Sequence, residues 1–130
     1  MYDLAGRTAL VTGAAGGGIG KATAHRLLAE GANVVVTDVH DRRTAETVEA
    51  FTEEFGSDRV MGALLDAGDR DQIDETLGAA TRRFGVVDVL VNNAAVNALN
   101  PVGAMTPEEW DWAIGVNLSG PWYLCRAVLP

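Results

Sequence analysis

The stretch T-G-A-A-G-G-G-I-G, residues 12–20, decides how this sequence is interpreted. It follows the apolar run Ala-Leu-Val at 9–11 and leads directly into a helical pattern, so it lies between a strand and a helix. Glycines at such a turn let the backbone bend tightly and approach a phosphate, and the helix that follows offers free N–H groups and a partial positive charge. The turn therefore predicts a pyrophosphate-binding loop, although a purely structural turn also uses glycine.

The regions on either side of this turn alternate between apolar strand-like runs and helical patterns. Strands are predicted at 8–12, 33–37, 59–65 and 86–92, and helices at 18–30, 41–55 and 69–84. The strand runs are rich in valine and leucine without polar alternation, which is typical of strands buried on both faces of a parallel sheet. The second helix is expected to present Ala45, Val48, Phe51 and Phe55 on one face. The order predicts a doubly wound α/β fold, a Rossmann-type three-layer sandwich with right-handed crossovers.

A further helix is predicted from Thr106, where Thr-Pro-Glu-Glu combines an N-cap, a proline at the first helical position and a glutamate at the third. Its apolar face carries Trp110, Ala113 and Ile114. Asn117 shares that face and is therefore expected to need buried hydrogen-bond partners. Because Pro121 has no N–H to donate to the Asn117 carbonyl, that carbonyl is predicted to be free to bind a water. The alternative is a helix kink that serves packing alone.

The composition bounds the class of protein. The chain has 130 residues, of which 48% are hydrophobic and 22% charged, so one globular domain over 1–130 is expected. A net charge of −8 argues against nucleic acid and against an anionic membrane as partners. No apolar run approaches the roughly 20 residues of a membrane span, and the N-terminus lacks the features of a signal peptide. A cytoplasmic protein is expected, with its single cysteine, Cys125, buried as a small hydrophobic side chain.

An acidic residue, Asp38, ends the second predicted strand about 20 residues beyond the later glycines of the turn. In a dinucleotide site such a carboxylate accepts hydrogen bonds from the adenosine ribose hydroxyls and repels a 2′-phosphate. Asp38 thus favours NAD over NADP, although Arg42 and Arg43 lie close by. The alternative is that Asp38 is a solvated loop carboxylate.

Several motifs in order resemble the short-chain dehydrogenase/reductase family, and the resemblance runs the whole chain. They are the glycine turn, Asp38, Asp66, Asn-Asn-Ala-Ala at 92–95 and Val-Asn-Leu-Ser-Gly at 116–120. The family motif TGxxxGxG is carried by Gly13, Gly18 and Gly20, with four residues instead of three between the first two glycines. The extra residue is expected to form a bulge, because the inserted set is small. The resemblance implies NAD-binding residues at Gly13, Gly17, Gly18, Ile19, Gly20, Asp38, Asp66, Ala67, Asn93 and Ala94.

The resemblance also implies individual roles. Asp66 and the backbone of Ala67 would flank the adenine. Asn93 and Ala94 would support the sheet and border the cofactor, with Ala95 replacing the family's glycine; Asn92 and Asn93 could instead simply satisfy backbone groups at a strand end. Asn117 matches the active-site asparagine, whose carbonyl binds a water of the proton relay.

The family moves a hydride between NAD(P) and an alcohol or carbonyl compound, using a serine, a tyrosine and a lysine four residues after that tyrosine. The chain offers only Tyr2 and Tyr123 as tyrosines, Lys21 as a lysine, and Ser57 and Ser119 as serines, none at the required spacing. His25 and His40 stand alone, so no metal site is expected. We therefore expect the cofactor-binding portion of such an oxidoreductase, inactive by itself and incomplete after the fourth strand and the following helix.

Two alternatives remain open. One is a catalytically inert NAD-binding module. The other is an interaction protein that pairs through the edge of its fourth strand and a helix bearing Trp110, Trp112 and Trp122. The family's sheet order, with the first four strands as 3-2-1-4, would leave that edge open. The expected partners are a small alcohol or carbonyl substrate and a second copy of the chain or a complementary fragment.

Overall fold

The computed structural model describes residues 3–129. Its elements in chain order are β1 (Thr8–Val11), α1 (Ile19–Ala29), β2 (Asn33–Asp38), α2 (Asp41–Phe55), β3 (Val60–Leu64), α3 (Arg70–Phe84), β4 (Val89–Val91), α4 (Pro107–Ile114), a π-helical turn (Gly115–Ser119) and α5 (Gly120–Val128). The strands form one parallel sheet in the order β3-β2-β1-β4. The Rossmann-type α/β fold predicted from the alternating pattern is confirmed.

The two central strands are buried on both faces, and the two outer strands are not. Every residue of β1 is buried, and β2 is buried from Val34 to Asp38. In β3 the burial alternates, with Gly62 and Leu64 exposed, and all three residues of β4 are only partly buried. The prediction of burial on both faces was therefore wrong for β3 and β4, because these are the outer strands of the described sheet. Only Val89–Val91 of the predicted 86–92 run pairs with β1, which explains the short fourth strand.

Helices cover both faces of the sheet, and alternate strand residues enter two separate cores. Val11, Val34 and Val36 point to the side of α1 and α2, where they pack with residues such as Leu28 and Phe51. Leu10 and Val35 point to the opposite side, where the second core contains Ile73, Leu77, Val116 and Leu124. This division is the three-layer arrangement, and it follows from the two-residue period of a strand.

The buried face of α2 differs from the predicted one. Thr44, Thr47 and Phe51 are its buried residues, whereas Ala45 is exposed. The helix approaches β3 so closely that a Cβ at Gly62 would lie 2.7 Å from a methyl carbon of Val48. Thr44 and Thr47 are buried although they are polar, so the buried face is rotated relative to the face predicted from the apolar residues alone.

The predicted capping box of α4 is present. The Thr106 hydroxyl accepts the Glu109 N–H at 3.2 Å, and the Glu109 carboxylate accepts the Thr106 N–H at 2.9 Å. Beyond α4 the chain widens into the π-helical turn, in which the Gly120 N–H donates to the Gly115 carbonyl. Such turns replace the α-helical bond by one to a residue five positions back and often occur at functional sites.

Two further observations concern the exposure of the cysteine and the length of the helices. Cys125 is exposed on α5, so the prediction that it is buried was wrong; its neighbour Leu124 takes the core position instead. Within residues 3–129, no helix combines the length and the apolar character that crossing a membrane requires.

Candidate cofactor-binding site

The glycine turn is anchored at both of its ends. Gly13 has a φ of 63°, a conformation that favours glycine, and the next two N–H groups are bound: Ala14 donates to the Thr37 carbonyl at 2.8 Å and Ala15 to Oδ2 of Asp38 at 3.2 Å. At the other end, a Cβ on Gly20 would overlap the Gly13 carbonyl oxygen and the Asn93 side chain. Only glycine fits at position 20.

The part of the turn between these anchors is open. A Cβ added at Gly16, Gly17 or Gly18 would have no heavy atom within 4 Å beyond those of its immediate chain neighbours. Because both ends of the turn are anchored, these three glycines leave room for the residue that exceeds the TGxxxGxG spacing. Gly18 is also the N-cap of α1 and offers no side-chain cap, so the first N–H groups of that helix are left for another acceptor.

Asp38 is a structural part of the turn as well as a candidate ligand. Its carboxylate is buried, with 9% of the residue exposed, so the solvated-loop interpretation is excluded. Oδ2 accepts the Ala15 N–H and Oδ1 accepts the His40 N–H, each at 3.2 Å. Each oxygen keeps a lone pair, so the carboxylate can still accept hydrogen bonds from a ligand.

Thr12, which is not among the predicted site residues, joins the glycine turn to the segment after β4. Its hydroxyl accepts the N–H groups of Asn93 and Ala94, both at 3.0 Å, and can donate to the Val91 carbonyl at 3.3 Å. Thr12 is 2% exposed. The sequence shows Thr12 inside the T-G motif of the turn. It does not show which groups the hydroxyl binds, because those partners lie about 80 residues further along the chain.

Asn93 binds backbone carbonyl groups, as predicted by the alternative in which it satisfies backbone groups at a strand end. Its Nδ2 donates to the Thr12 carbonyl at 2.9 Å and to the Gly13 carbonyl at 3.1 Å. The same side chain lines the cleft described below, so supporting the turn and bordering a ligand are compatible roles. Asn92 points elsewhere, with its Nδ2 3.5 Å from the Cys125 sulfur.

The loop after β3 carries Asp66 and Ala67 to the same cleft. Asp66 is held by two bonds, since its N–H donates to Gln72 at 2.8 Å and its Oδ1 accepts the Gly68 N–H at 2.8 Å. A Cβ on Gly120 would overlap the Ala67 carbonyl, so the loop packs directly on the first turn of α5. Both residues are therefore fixed in place before any ligand binds.

Asn117 lies on the π-helical turn and is exposed, contrary to the expectation of a buried asparagine. Its side chain nevertheless has two partners, both on the Val96 backbone: Oδ1 accepts the N–H and Nδ2 donates to the carbonyl, each at 2.8 Å. The partners come from the segment after β4, which passes over the turn.

Several of these residues line one cleft of about 530 Å³, which is within the range of roughly 300–1,000 Å³ found for small-molecule sites. Its walls include Gly13, Asp38, His40, Arg43, Asp66, Ala67, Asn93, Ala94, Ala95 and Val96. Of the glycine turn, Gly13 lines this cleft together with Asp38. Gly17 and Gly18 line a separate recess of about 380 Å³, with Lys21, His25 and Phe51. Asp38 gives the cleft an acceptor for hydroxyl groups, and the uncapped N–H groups at the start of α1 follow Gly13 in the chain, an arrangement that fits a dinucleotide.

A second and more open recess, of about 620 Å³, lies between the start of α3 and the π-helical turn. Its lining includes the carboxylates Asp66, Asp69, Asp71, Asp74 and Asp111, with Arg70. This much negative charge opposes the phosphates of a dinucleotide, so the smaller cleft is the better candidate.

The side chains considered for catalysis do not meet in the cleft. Lys21 lies over the Phe51 ring on the α1–α2 side, 6.0 Å from its centroid. Tyr123 packs beneath Arg70, whose guanidinium lies 4.8 Å from the ring centroid. Tyr2 falls outside the described residues. Among residues 3–129, no group of three or more metal-ligating side chains is found.

Comparison with known proteins identifies the family. The sequence model described as short chain dehydrogenase matches residues 7–130. The chain belongs to the short-chain dehydrogenase family. This membership confirms the resemblance inferred from the glycine turn and the motifs that follow it.

Relatives and solved structures agree with this membership. A Mycobacterium tuberculosis protein named (5R,7aS)-5-hydroxy-7a-methyl-1-oxo-2,3,5,6,7,7a-hexahydro-1H-indene-carboxyl-CoA reductase is 44% identical over 97% of this chain and 48% of its own length. The structure of a short-chain dehydrogenase/reductase from Burkholderia phymatum in complex with NAD has a TM-score of 0.90 and 31% identity, covering 98% of this chain and 44% of that one. L-Sorbose reductase from Gluconobacter frateurii, complexed with NADPH and L-sorbose, has a TM-score of 0.91 and 27% identity, covering 98% and 48%.

The short-chain dehydrogenase chain described here spans about half the length of the curated relatives it matches. Those relatives are named as reductases and dehydrogenases, so the family's chemistry is oxidoreduction. Family members use nicotinamide cofactors, and the two structures above contain NAD in one case and NADPH in the other.

Proposed function

We propose that this chain is the cofactor-binding portion of an oxidoreductase that transfers a hydride between NAD and an alcohol or carbonyl compound. The observation that carries the proposal is the buried carboxylate of Asp38, which lies in the same cleft as the anchored glycine turn. A dinucleotide needs a carboxylate for its ribose hydroxyls and free N–H groups for its phosphates. NAD, when bound, supplies the carbon that accepts or donates the hydride.

The chain's own residues divide the work of binding. The N–H groups of Gly17, Gly18 and Ile19 hold the pyrophosphate, while Gly13 and Gly20 let the turn fold back tightly. Asp38 accepts from the adenosine ribose. Asp66 and Ala67 border the adenine, and Asn93 and Ala94 form the wall beneath the rest of the cofactor. The roles of Gly13, Asp38, Asp66, Ala67, Asn93 and Ala94 are supported by their place in the lining of one cleft. The roles of Gly17, Gly18 and Ile19 are supported by the absence of a side-chain cap at the start of α1.

Asn117 is proposed to contribute through its backbone. Its side-chain amide is committed to Val96, so its carbonyl is the group left for binding a relay water. Pro121 supports this role, because it has no N–H that could occupy the Asn117 carbonyl in an α-helical bond.

Titration with NAD and an assay for alcohol oxidation together test the proposal. The full-length protein should bind NAD in a calorimetric titration and reduce it in the presence of at least one alcohol from a broad panel. Binding without any turnover would favour the inert NAD-binding module. The absence of NAD binding would reject the cofactor role altogether.

A second role, association with another chain, is favoured by exposed apolar surface. Trp110, Trp112 and Trp122 on α4 and α5 are 57%, 49% and 56% exposed, and Leu118 between them is 64% exposed. In addition, β4 pairs with β1 alone among the described strands, which leaves its other edge open. We propose that this surface contacts a second copy or a complementary segment. Monodisperse monomers in sedimentation at tens of micromolar would contradict this.

Location in the cytoplasm is also part of the proposal. It is supported by the lone thiol of Cys125, which is exposed and has no disulfide partner among the described residues.

A further inference from the structure

The connection from β4 to α4 differs in composition from the rest of the chain. It covers residues 92–106, which is long compared with the median of about 4–6 residues for connections in compact domains. No charged residue occurs between Asp88 and Glu108, although 22% of the chain is charged. Because binding residues are often carried on long connections of this kind, we asked what holds this one and what it exposes.

Hydrogen bonds hold the connection along its length. Its first part is joined to the π-helical turn through the pair between Asn117 and Val96. Its middle is joined to α4, because Nδ2 of Asn100 donates to the Glu109 carboxylate at 2.6 Å. The Pro101 carbonyl accepts two backbone N–H groups just before the N-cap of α4, at 2.8 and 2.9 Å. These bonds give residues 97–105, called the apolar loop below, a defined shape.

The apolar loop carries the two most exposed large hydrophobic side chains of the described residues. Val102 is 90% exposed and Leu99 is 87% exposed, and neither belongs to the two hydrophobic cores. A single exposed leucine is ordinary, but two such side chains on one short loop without charges form a local apolar surface. Exposed apolar surface of this kind marks a place where another apolar group binds.

The apolar loop continues one wall of the cofactor cleft. Ala95 and Val96 line the cleft and directly precede the loop in the chain. Val96 is also bonded to Asn117, whose carbonyl is proposed to hold the relay water. A substrate whose reacting carbon lies beside that water would therefore have the loop next to the rest of its structure.

We propose that Leu99 and Val102 bind the hydrocarbon part of the substrate, and that the substrate is a secondary alcohol, or the matching ketone, whose reacting carbon bears a hydrocarbon group, as opposed to a polyol. The inference rests on the proposed function, because it names the substrate class of the same site. In the oxidation, the carbinol carbon loses a hydride to NAD and the hydroxyl group loses a proton, which leaves the ketone. The two side chains contribute by removing hydrocarbon from water.

The polar groups of the apolar loop do not suit a polyol. Its polar side chains are Asn97 and Asn100, and Asn100 is already bonded to Glu109. A substrate with several hydroxyl groups would exchange its bonds with water for contact with Leu99 and Val102, which costs binding free energy.

The test is a kinetic comparison of secondary alcohols of increasing chain length with a polyol, using the full-length protein and saturating NAD. The probes are 2-butanol, 2-hexanol and 2-octanol, with mannitol as the polyol. We expect kcat/KM to rise about two- to fourfold with each added CH₂ group and to be lowest for mannitol, because each CH₂ removed from water strengthens binding.

Two variants test the named residues. Leu99→Asn and Val102→Thr replace hydrocarbon by polar groups of similar size. Each should raise KM for 2-octanol about fivefold or more and KM for 2-butanol by less than about twofold, with kcat unchanged, because an apolar contact stabilises the bound substrate and the transition state alike. Val86→Thr is the matched control, since Val86 is 72% exposed, precedes β4 and does not line the cleft. It should change neither KM.

The outcomes separate this inference from the proposed function. If mannitol is oxidised more efficiently than the alkanols, or if chain length has no effect, the substrate class is wrong and the proposed function stands. If the two variants lower the urea midpoint or change the sedimentation of the full-length protein while KM stays the same, the loop is covered by protein, which also overturns the inference. If NAD does not bind, or binds without oxidation of any alcohol, the proposed hydride transfer fails together with the inference.

Discussion

Asn117 and Val96 form a closed pair in which one side-chain amide satisfies both backbone groups of the other residue. The Asn117 oxygen accepts the Val96 N–H and the Asn117 nitrogen donates to the Val96 carbonyl, each at 2.8 Å. The pair fastens the segment after β4, which forms a wall of the cleft, to the π-helical turn. Only a side chain with one donor end and one acceptor end can make both bonds.

Replacing Asn117 by aspartate should therefore loosen that wall. The carboxylate keeps the acceptor but places an oxygen against the Val96 carbonyl, so we expect a stability loss of about 1 kcal/mol and NAD binding weakened about tenfold. Urea unfolding and calorimetric titration measure the two effects. Asn97→Asp is the control, since Asn97 is exposed and its side chain has no hydrogen bond within the described residues. Equal effects of the two substitutions would show that charge, and not the pair, matters.

The glycines of the turn should respond to alanine in opposite directions. Gly20→Ala places a methyl group against the Gly13 carbonyl and Asn93, so we expect it to destabilise the fold by about 1–3 kcal/mol. Gly17→Ala meets no atom within 4 Å and needs no left-handed backbone, so it should stabilise by about 0.5 kcal/mol by restricting the unfolded chain. Denaturant midpoints of the two variants decide the matter. A loss at Gly17 similar to that at Gly20 would mean that the turn is closely packed at Gly17 as well.

Thr12→Val tests the connection between the glycine turn and the segment after β4. Valine keeps the shape of the side chain but removes the acceptor of the Asn93 and Ala94 N–H groups, so we expect a loss of about 2 kcal/mol. Thr12→Ser retains the hydroxyl and should recover most of that stability. Thermal unfolding of both variants provides the comparison. If serine is no better than valine, the methyl group and not the hydroxyl stabilises this position.

Asp38→Ala should weaken NAD binding about tenfold or more and reduce the preference for NAD over NADP, because it removes both the ribose acceptor and the repulsion of a 2′-phosphate. The variant should also lose stability, since the Ala15 and His40 N–H groups lose their acceptor. Glu53→Ala, at an exposed carboxylate of α2 that does not line the cleft, controls for the change in net charge. An unchanged cofactor preference would show that Asp38 serves only to hold the turn.

Asp88 should make stability depend on pH at the acidic end. The Thr8 N–H, at 2.9 Å, and then the Arg7 guanidinium, at 2.6 Å, hold the pKa of Asp88 below its usual value. A carboxyl group whose pKa is lowered by folding stabilises the protein above its unfolded pKa, and this contribution is lost as the pH falls through the folded pKa. The stability difference between wild type and Asp88→Asn should thus be constant above about pH 5 and shrink from about pH 4 downward. Urea unfolding across that range measures it, and a difference independent of pH would contradict the assignment.

Much of the fold could be predicted because its signals are local. The glycine turn, the apolar runs and the Thr106 capping box each depend on residues within a few positions of one another, and all were found where the sequence indicated. Burial was predicted less well, because it depends on neighbours from elsewhere in the chain. The exposed side of β3, the exposed Ala45 and the exposed Cys125 follow from which elements pack beside them.

For the candidate site, the sequence by itself determined which residue types are present and roughly where each strand ends: the glycines, Asp38, Asp66, Asn93 and Asn117. Their partners were decided only by the tertiary structure. The bonds from Thr12 to Asn93, and from Asn117 to Val96, join segments about 80 and about 20 residues apart. Of the adjacent residues Arg42 and Arg43, only Arg43 lines the cleft, because the first turn of α2 directs the two side chains differently. Local sequence specifies the elements, whereas hydrogen bonds and packing between distant segments determine which side chains meet.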